Sequence, residues 1–428
     1  MRLEAMTAIG AFGLAAIVSA APAKCGEMVR NEEMIGKIRD AAPALAEDLK
    51  AIRRDIHRHP ELSGQEERTA ALVARELRAL GLEVETGVGG HGVVGVLTGG
   101  VPGPVVAYRA DMDAVRSAVV GDPEYKSEVP GVKHVCGHDA HVAVGIGVAR
   151  VLAGMREELP GTVKFLFQPA EETAEGALAM IEDGVLEDPA PAAIFALHTT
   201  PYPVGKVGLP PGVGLSGILA FRVRLRGDSG VREAADRVVQ AVGEVGTVPM
   251  VTGPADFVRV MRDMTVENGP LDDFIFVARV NRESVEGGID VQGWLRASGR
   301  DAYDRAKEGI EKAIGEIPTE VRSDVEFTRL MPDMHSDPEL VYGAIPAIRA
   351  AAGEESVLMI HASAPYFGED FAFFQEHIPG AMFFLGVANE EEGITAYNHF
   401  PDYDLDESAL TIGTAAMAAV LVEYLAVR

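Results

Sequence analysis

The sequence predicts an α/β fold: a larger domain built on a mixed, mostly parallel sheet with helices on both faces, plus an inserted, smaller α+β lid domain. Three observations lead there. Short apolar runs alternate with helical stretches through the first half of the chain, as strands buried between helix layers do. A break at Pro210-Pro211-Gly212 is followed by a strongly alternating run over 218–226, which reads as a strand with one wet face. The α/β character then returns near Pro338. A chain of 428 residues, 47% of them hydrophobic, can bury a core for each unit.

Taken in order, residues 1–30 stand apart. The run 5–23 is apolar and ends in small residues, as a secretory signal does, but Arg2 is opposed by Glu4. A signal and a start site placed too early, with Met28 or Met34 as the true start, account for it equally well. The chain is therefore expected in the cytoplasm, or exported if 1–23 is a signal. From Asn31 to Gly81 the pattern is helical, with Leu72, Leu77 and Leu80 at roughly helical spacing and Gly81 as a stop. Strands are expected at 93–97, 105–108, 163–167, 193–197 and 381–385, with helices at 142–155 and 176–186 between them. The lid, expected over 213–324, reads as a strand at 218–226, a helix at 231–245, strands near 274–280 and 289–297, and a helix near 303–314. The larger domain takes 31–212 and 325–428. The apolar run 409–427 is interrupted by Gly413 and Glu423, which suits a packed helix better than a bilayer span.

Charge narrows the partners. Asp and Glu number 65 against 38 Lys and Arg, a formal net charge of −27. That excess repels phosphate backbones and anionic lipid, so nucleic acid and membrane surfaces are poor partners; the charge says little else. The two cysteines, Cys25 and Cys136, cannot make a disulfide framework. Cys136 lies in a His-rich neighbourhood, where metal binding or catalysis competes with inert burial.

The position of the reactive residues is the strongest signal. In an open α/β sheet, ligands bind outside the carboxyl ends of the strands. The run 105–108 leads into Asp111 and Asp113, the run 163–167 into Glu171-Glu172, and 193–197 ends on His198. Cys136-Gly137-His138-Asp139-Ala140-His141 precedes a helix, where its loop opens at the same end. Thiolate, imidazole and carboxylate are ligands for zinc, manganese, cobalt or nickel. Gly137 permits a backbone path that turns both flanking side chains to one centre. Adjacent glutamates cannot easily share a role: one can bind metal while the other faces water as a general base. Singly, a Glu-Glu pair is usually a solvated helix start and a His after a strand a core residue. Their convergence on one sheet edge favours the metal.

These residues fall into a recognisable order. The chain resembles the amidohydrolase branch of the co-catalytic metallopeptidases, which includes hippurate hydrolases and plant auxin-conjugate hydrolases. The matches are His59-Pro60-Glu61-Leu62-Ser63, Arg109-Ala110-Asp111-Met112-Asp113-Ala114, the Cys136 to His141 segment, Phe167-Gln168-Pro169-Ala170-Glu171-Glu172, His198 with Pro203-Val204-Gly205, Glu369-Asp370-Phe371, and His399 with Pro401 and Asp404. The resemblance implies one or two divalent ions (manganese, zinc, cobalt or nickel) held by Cys136, His138, Glu172, His198 and His399. It makes Glu171 the base, Asp113 an orienting carboxylate, and Arg296 and Glu369 substrate-binding residues. His399 as a ligand rests on the resemblance alone. His57, His59, His134 and His141 are read as structural. The implied reaction is hydrolysis of the amide bond in a small N-acyl amino acid or short peptide conjugate.

The lid departs from the pattern. Relatives carry a Gly-rich turn and a His-Ala…Pro-His segment whose histidine reaches an active site across a dimer. Here Gly227-Asp228-Ser229-Gly230 leads straight into the helix, and no histidine occurs between His198 and His335. Gly287-Gly288-Ile289-Asp290 stands where relatives have Asn-x-Ile-Pro. Arg232 and Arg296 are the candidate replacement cations, and a homodimer through the lid is the assembly the resemblance implies. Two other readings stay open: a metal-containing binding protein with little turnover, and an N-acetyl-amino-acid deacetylase of biosynthesis.

Overall fold

The computed structural model describes residues 20–120 and 124–427, so most of the apolar run 5–23 lies outside it. Its largest sheet has eight strands. From edge to edge they are Glu83–Val88, Gly92–Thr98, Pro160–Gln168, Val101–Asp111, Ile194–Pro203, Gly380–Ala388, Val207–Leu209 and Val357–Met359. Val101–Asp111 pairs in parallel with both of its neighbours, and Ile194–Pro203 pairs in parallel with Gly380–Ala388. The edge strand Glu83–Val88 is antiparallel to Gly92–Thr98, which is itself antiparallel to Pro160–Gln168.

The central strands are apolar on both sides because both sides are covered, whereas the edge strand Glu83–Val88 is mostly exposed. Along each central strand, alternate residues enter different cores. Phe165, Phe167, Phe195, Leu197 and Phe383 pack on one face with the helices His138–Gly154, Pro338–Ala352 and Ala409–Val427. Leu166, Ile194, Ala196 and Phe384 pack on the other with Met180, Phe371 and Phe374 from shorter helices. Ala409–Val427 is long and apolar enough to cross a bilayer, yet 72% of it is buried inside the protein. It is a core helix, as Gly413 and Glu423 suggest.

The lid sheet is antiparallel throughout, in the order Ile275–Val285, Gly288–Ala297, Ile218–Arg226, Arg322–Met331. Helices Val231–Val245 and Arg300–Gly315 cover one face, burying Phe221, Val223, Leu225, Val291 and Leu295. The expected β–α–β–β–α order is present, but the sequence does not predict the closing strand Arg322–Met331. The expected boundary at 324 falls inside it. Its inner face is short, with Val325 and Phe327 half-buried against the lid core and only Met331 fully buried, so the apolar signal is weak.

Two further lid features bear on the site. Between Val231–Val245 and the next strand, the chain returns to the larger domain through the helix Pro254–Asp263. Val260, Met261, Met264, Leu271, Phe274 and Phe276 join the same core as Leu166, Ile194 and Phe384. The Phe257 ring lies 5.4–6.2 Å from those of Tyr366, Phe367, Tyr397 and Phe400. The second feature is a bulge. Ala278 opposes Trp294 and Asn281 opposes Gln292, leaving Arg279 and Val280 both opposite Gly293. Arg279 takes φ +54°, a left-handed conformation that a side chain of this size rarely adopts. A Cβ at Gly293 would meet the Phe221 ring at 2.8 Å, so a glycine is required beneath the bulge.

Candidate metal centre

The carboxyl ends of the central strands deliver the expected residues to one place. Cys136, His138 and His198 present ligand-type atoms within 4.8 Å of one another, as do Cys136, Glu172 and His399, and His138, Glu171 and Glu172. These residues therefore meet in one cluster, and Asp113 and Glu369 stand directly behind it.

Local backbone explains the aim of each side chain. Gly137 is the residue before the helix His138–Gly154 and sits at φ +94°. A Cβ there would lie 2.2 Å from the Thr199 hydroxyl and 2.6 Å from that of Tyr403. Only glycine fits, and the turn it makes points Cys136 and His138 the same way. His198 donates from Nδ1 to the Thr199 carbonyl at 2.7 Å, which leaves Nε2 facing Cys136 Sγ at 3.3 Å. His399 takes φ +67°, and its amide donates to the Val135 carbonyl at 2.7 Å. Its Nε2 lies 3.5 Å from Glu172 Oε1.

Asp113 holds several of these groups at once. Its carboxylate accepts from the amides of Glu171 and Glu172 at 3.2 and 3.0 Å, and from the Ser63 hydroxyl at 2.6 Å. It also faces His138 Nδ1 at 3.2 Å, which directs Nε2 into the cluster. These contacts suit the orienting role that the resemblance implies for it. Behind it, buried Arg109 bonds Asp111, Glu369 and Asp370. Glu369 borders the cavity beside Glu171, but one of its oxygens is already held by Arg109 and the Phe371 amide.

The histidines read as structural differ among themselves. His141 bonds Asp111 at 2.5 Å and accepts from the Thr199 amide at 2.8 Å, so both nitrogens are occupied. His57 pairs with Asp139 and His59 with the Asp55 carbonyl. His134 is buried with neither ring nitrogen hydrogen-bonded among the described residues, and burial pushes its pKa down to about 3.

The electrostatics of the cluster favour a cation. Burial, reinforced by Glu369 and Glu172, holds the Glu171 carboxyl well above the usual range. Burial pushes Glu172 up to about 7, and burial beside Glu172 raises the Cys136 thiol. Burial, with His141 adding to it, depresses His198, and burial beside His138 brings His399 down to about 4. For His138 the burial cost is overcome, chiefly by Asp111, and its pKa is raised. Two ligand-type atoms, His138 Nε2 and Glu172 Oε1, are buried without a hydrogen-bond partner among the described residues. Each such atom costs about 1–3 kcal/mol unless something satisfies it. One or two divalent ions among a thiol, three imidazoles and two carboxylates would do so, so the donor set fits a metal.

The cluster floors a cavity of about 540 Å³. Met261, Met264, Tyr366 and Phe367 form an apolar wall, and the lid contributes Arg279, Trp294 and Arg296. Arg296 is where the sequence places a substrate-binding residue. It borders the cavity, but its Nη1 donates to the main-chain carbonyls of Ser216 and Phe367. Arg232 is exposed on the lid helix and does not border the cavity. Sequence reasoning misses Arg279, Trp294 and the apolar wall. Bulges leave no mark in an alternating pattern, and 254–263 carries no strand-end signal.

Comparison with known proteins identifies the family. Residues 107–423 match peptidase family M20/M25/M40. A thermostable carboxypeptidase of Saccharolobus solfataricus is 31% identical over 92% of this chain and 99% of its own length. The N-acetylcysteine deacetylase of Bacillus subtilis is 32% identical over 87% of this chain and 96% of its own. A solved dinuclear metal-binding peptidase of the M20 family from Bacillus subtilis superposes with a TM-score of 0.73 at 29% identity, covering 90% of this chain and 99% of that one. Fold, donor set and similarity agree: the chain belongs to peptidase family M20/M25/M40 and is a metal-dependent hydrolase.

Proposed function

We propose that this protein hydrolyses the amide bond of N-acyl amino acids or short peptide conjugates, with Glu171 as general base and Cys136, His138, Glu172, His198 and His399 as metal ligands. The convergence of these residues on one cavity, with His138 Nε2 and Glu172 Oε1 buried and without a hydrogen bond among the described residues, carries the reading.

The two glutamates differ in surroundings. Glu172 faces Cys136 and His399, which suits a ligand. Glu171 lies between the ligand cluster and the Glu369–Asp370 pair, which suits a group that gains and loses a proton. Bound divalent metal supplies a water that ionises near neutral pH and polarises a carbonyl oxygen. Glu171 takes the proton of the attacking water as its oxygen bonds to the amide carbon. It gives that proton to nitrogen as the C–N bond breaks, releasing a carboxylic acid and an amine. A raised pKa suits both halves of that cycle.

The apolar wall fits a large or aromatic acyl group better than acetyl. The test is hydrolysis of acetyl-, benzoyl- and peptidyl-amino acids by the metal-loaded protein, followed as amine release. Turnover of benzoyl substrates above acetyl ones is expected. Metal-loaded protein that cleaves none of the panel would sink the reading.

A further inference from the structure

We propose that Arg279, set by its bulge at the border between the cavity and the groove over the outer face of the lid sheet and backed by Trp294, holds the carboxylate of the amino acid released in the reaction. The proposal rests on the amide-hydrolase reading above and names what that site selects.

Backbone geometry is the first observation. A strand in regular register would not put Arg279 at φ +54°; the two-for-one bulge opposite Gly293 does. Bulges beside functional sites re-aim a side chain, and a strained non-glycine residue persists only where its surroundings hold it. Here the guanidinium is laid over the Trp294 ring, 4.1 Å from its centroid. Stacking fixes the plane of the guanidinium and leaves its N–H edge free for a carboxylate.

Availability is the second. Among the described residues no ion pair engages Arg279, and its cavity neighbour Arg296 is committed to the carbonyls of Ser216 and Phe367. The third is position. Arg279 borders from the lid the same cavity that Glu171, Glu172 and Glu369 border from the large sheet, so a substrate can meet the lid with its carboxylate while its amide lies over the candidate ligands. Arg279 waits there, in the lid that lacks a histidine. A bidentate guanidinium–carboxylate pair supplies affinity and orientation together.

Binding can be measured apart from turnover. Calorimetry on the manganese-loaded Glu171→Gln protein compares N-benzoylglycine with its neutral carboxamide. The acid should bind at least about tenfold tighter. Adding Arg279→Gly should weaken the acid about ten- to a hundredfold and leave the carboxamide within about twofold. Glycine takes this φ without strain, so the melting temperature should hold or rise, and Arg279→Lys should restore part of the preference. A parent with no preference for the acid, or an Arg279→Gly variant that keeps it, overturns the proposal. The hydrolase reading fails separately: protein that binds the acid through Arg279 but releases no amine from any acyl amino acid would sink that reading alone.

Discussion

The two halves of the cavity are built on opposite plans. On the metal side nearly every polar group is buried and tied to another: Asp113 to Ser63, His138 and two amides, Arg109 to three carboxylates, His141 to Asp111 and Thr199. On the lid side the recognising pair, exposed Arg279 and half-buried Trp294, is held by a bulge and one stacking contact. Mutual constraint fixes atoms to the tolerance that catalysis needs. A lightly held arginine can change its partner without disturbing the chemistry. If the proposals hold, the contrast assigns the reaction to the sheet and the selectivity to the lid.

Several experiments would break or sharpen that contrast. The largest effect belongs to Glu171→Gln, which should keep its metal and lower kcat by about a thousandfold or more, because it removes proton transfer and leaves the ligands. Glu172→Gln should instead lose metal. Elemental analysis beside kinetics decides, and loss of metal from Glu171→Gln would reverse the two roles. Next comes Asp113→Ala. Freed of its orienting carboxylate, the centre should bind metal about ten- to a hundredfold more weakly with every ligand present.

Acidity should act on the same half. A carboxylate whose pKa is raised to about 7 favours the protonated, metal-free form at low pH and must ionise to ligate. Metal affinity should therefore fall at least about tenfold per unit as pH drops below about 7, and it should keep rising above 7 because the Cys136 thiol, also raised, must ionise to ligate. Titrations at about pH 6, 7 and 8 read this directly, and a flat profile would place the controlling proton elsewhere. The smallest effects belong to the lid. Arg296→Ala removes bonds to the Ser216 and Phe367 carbonyls and should cost about 1.5–3 kcal/mol of stability. Exposed Arg232→Ala should stay within about 0.5 kcal/mol of the parent. Equal losses at both would show that Arg296 is no anchor.

Legibility in the sequence divides along the same line. Strands buried on both faces announce themselves as continuous apolar runs, and residues just past their ends are located once the strands are. That is why Cys136, His138, Glu171, Glu172 and His198 are legible from residue order. His399 is not: it sits in a loop at φ +67°, and only family resemblance points to it. The lid's last strand, Arg322–Met331, offers only Val325 and Phe327 as a half-buried face between charged neighbours, too short a signal to betray it. The bulge at Arg279 depends on Phe221 and Gly293 from two other strands, a three-strand coincidence that no local window of sequence contains.

The return of the chain through Pro254–Asp263 has a thermodynamic consequence. Met261, Met264 and Phe276 from the lid-borne segment share one core with Leu166, Ile194 and Phe384 from the large sheet, so neither half can melt without stripping apolar surface from the other. The shared core should couple the unfolding of the two halves, although the lid also has a core of its own. The calorimetric trace should show a single peak, with metal moving the whole transition rather than one shoulder of it.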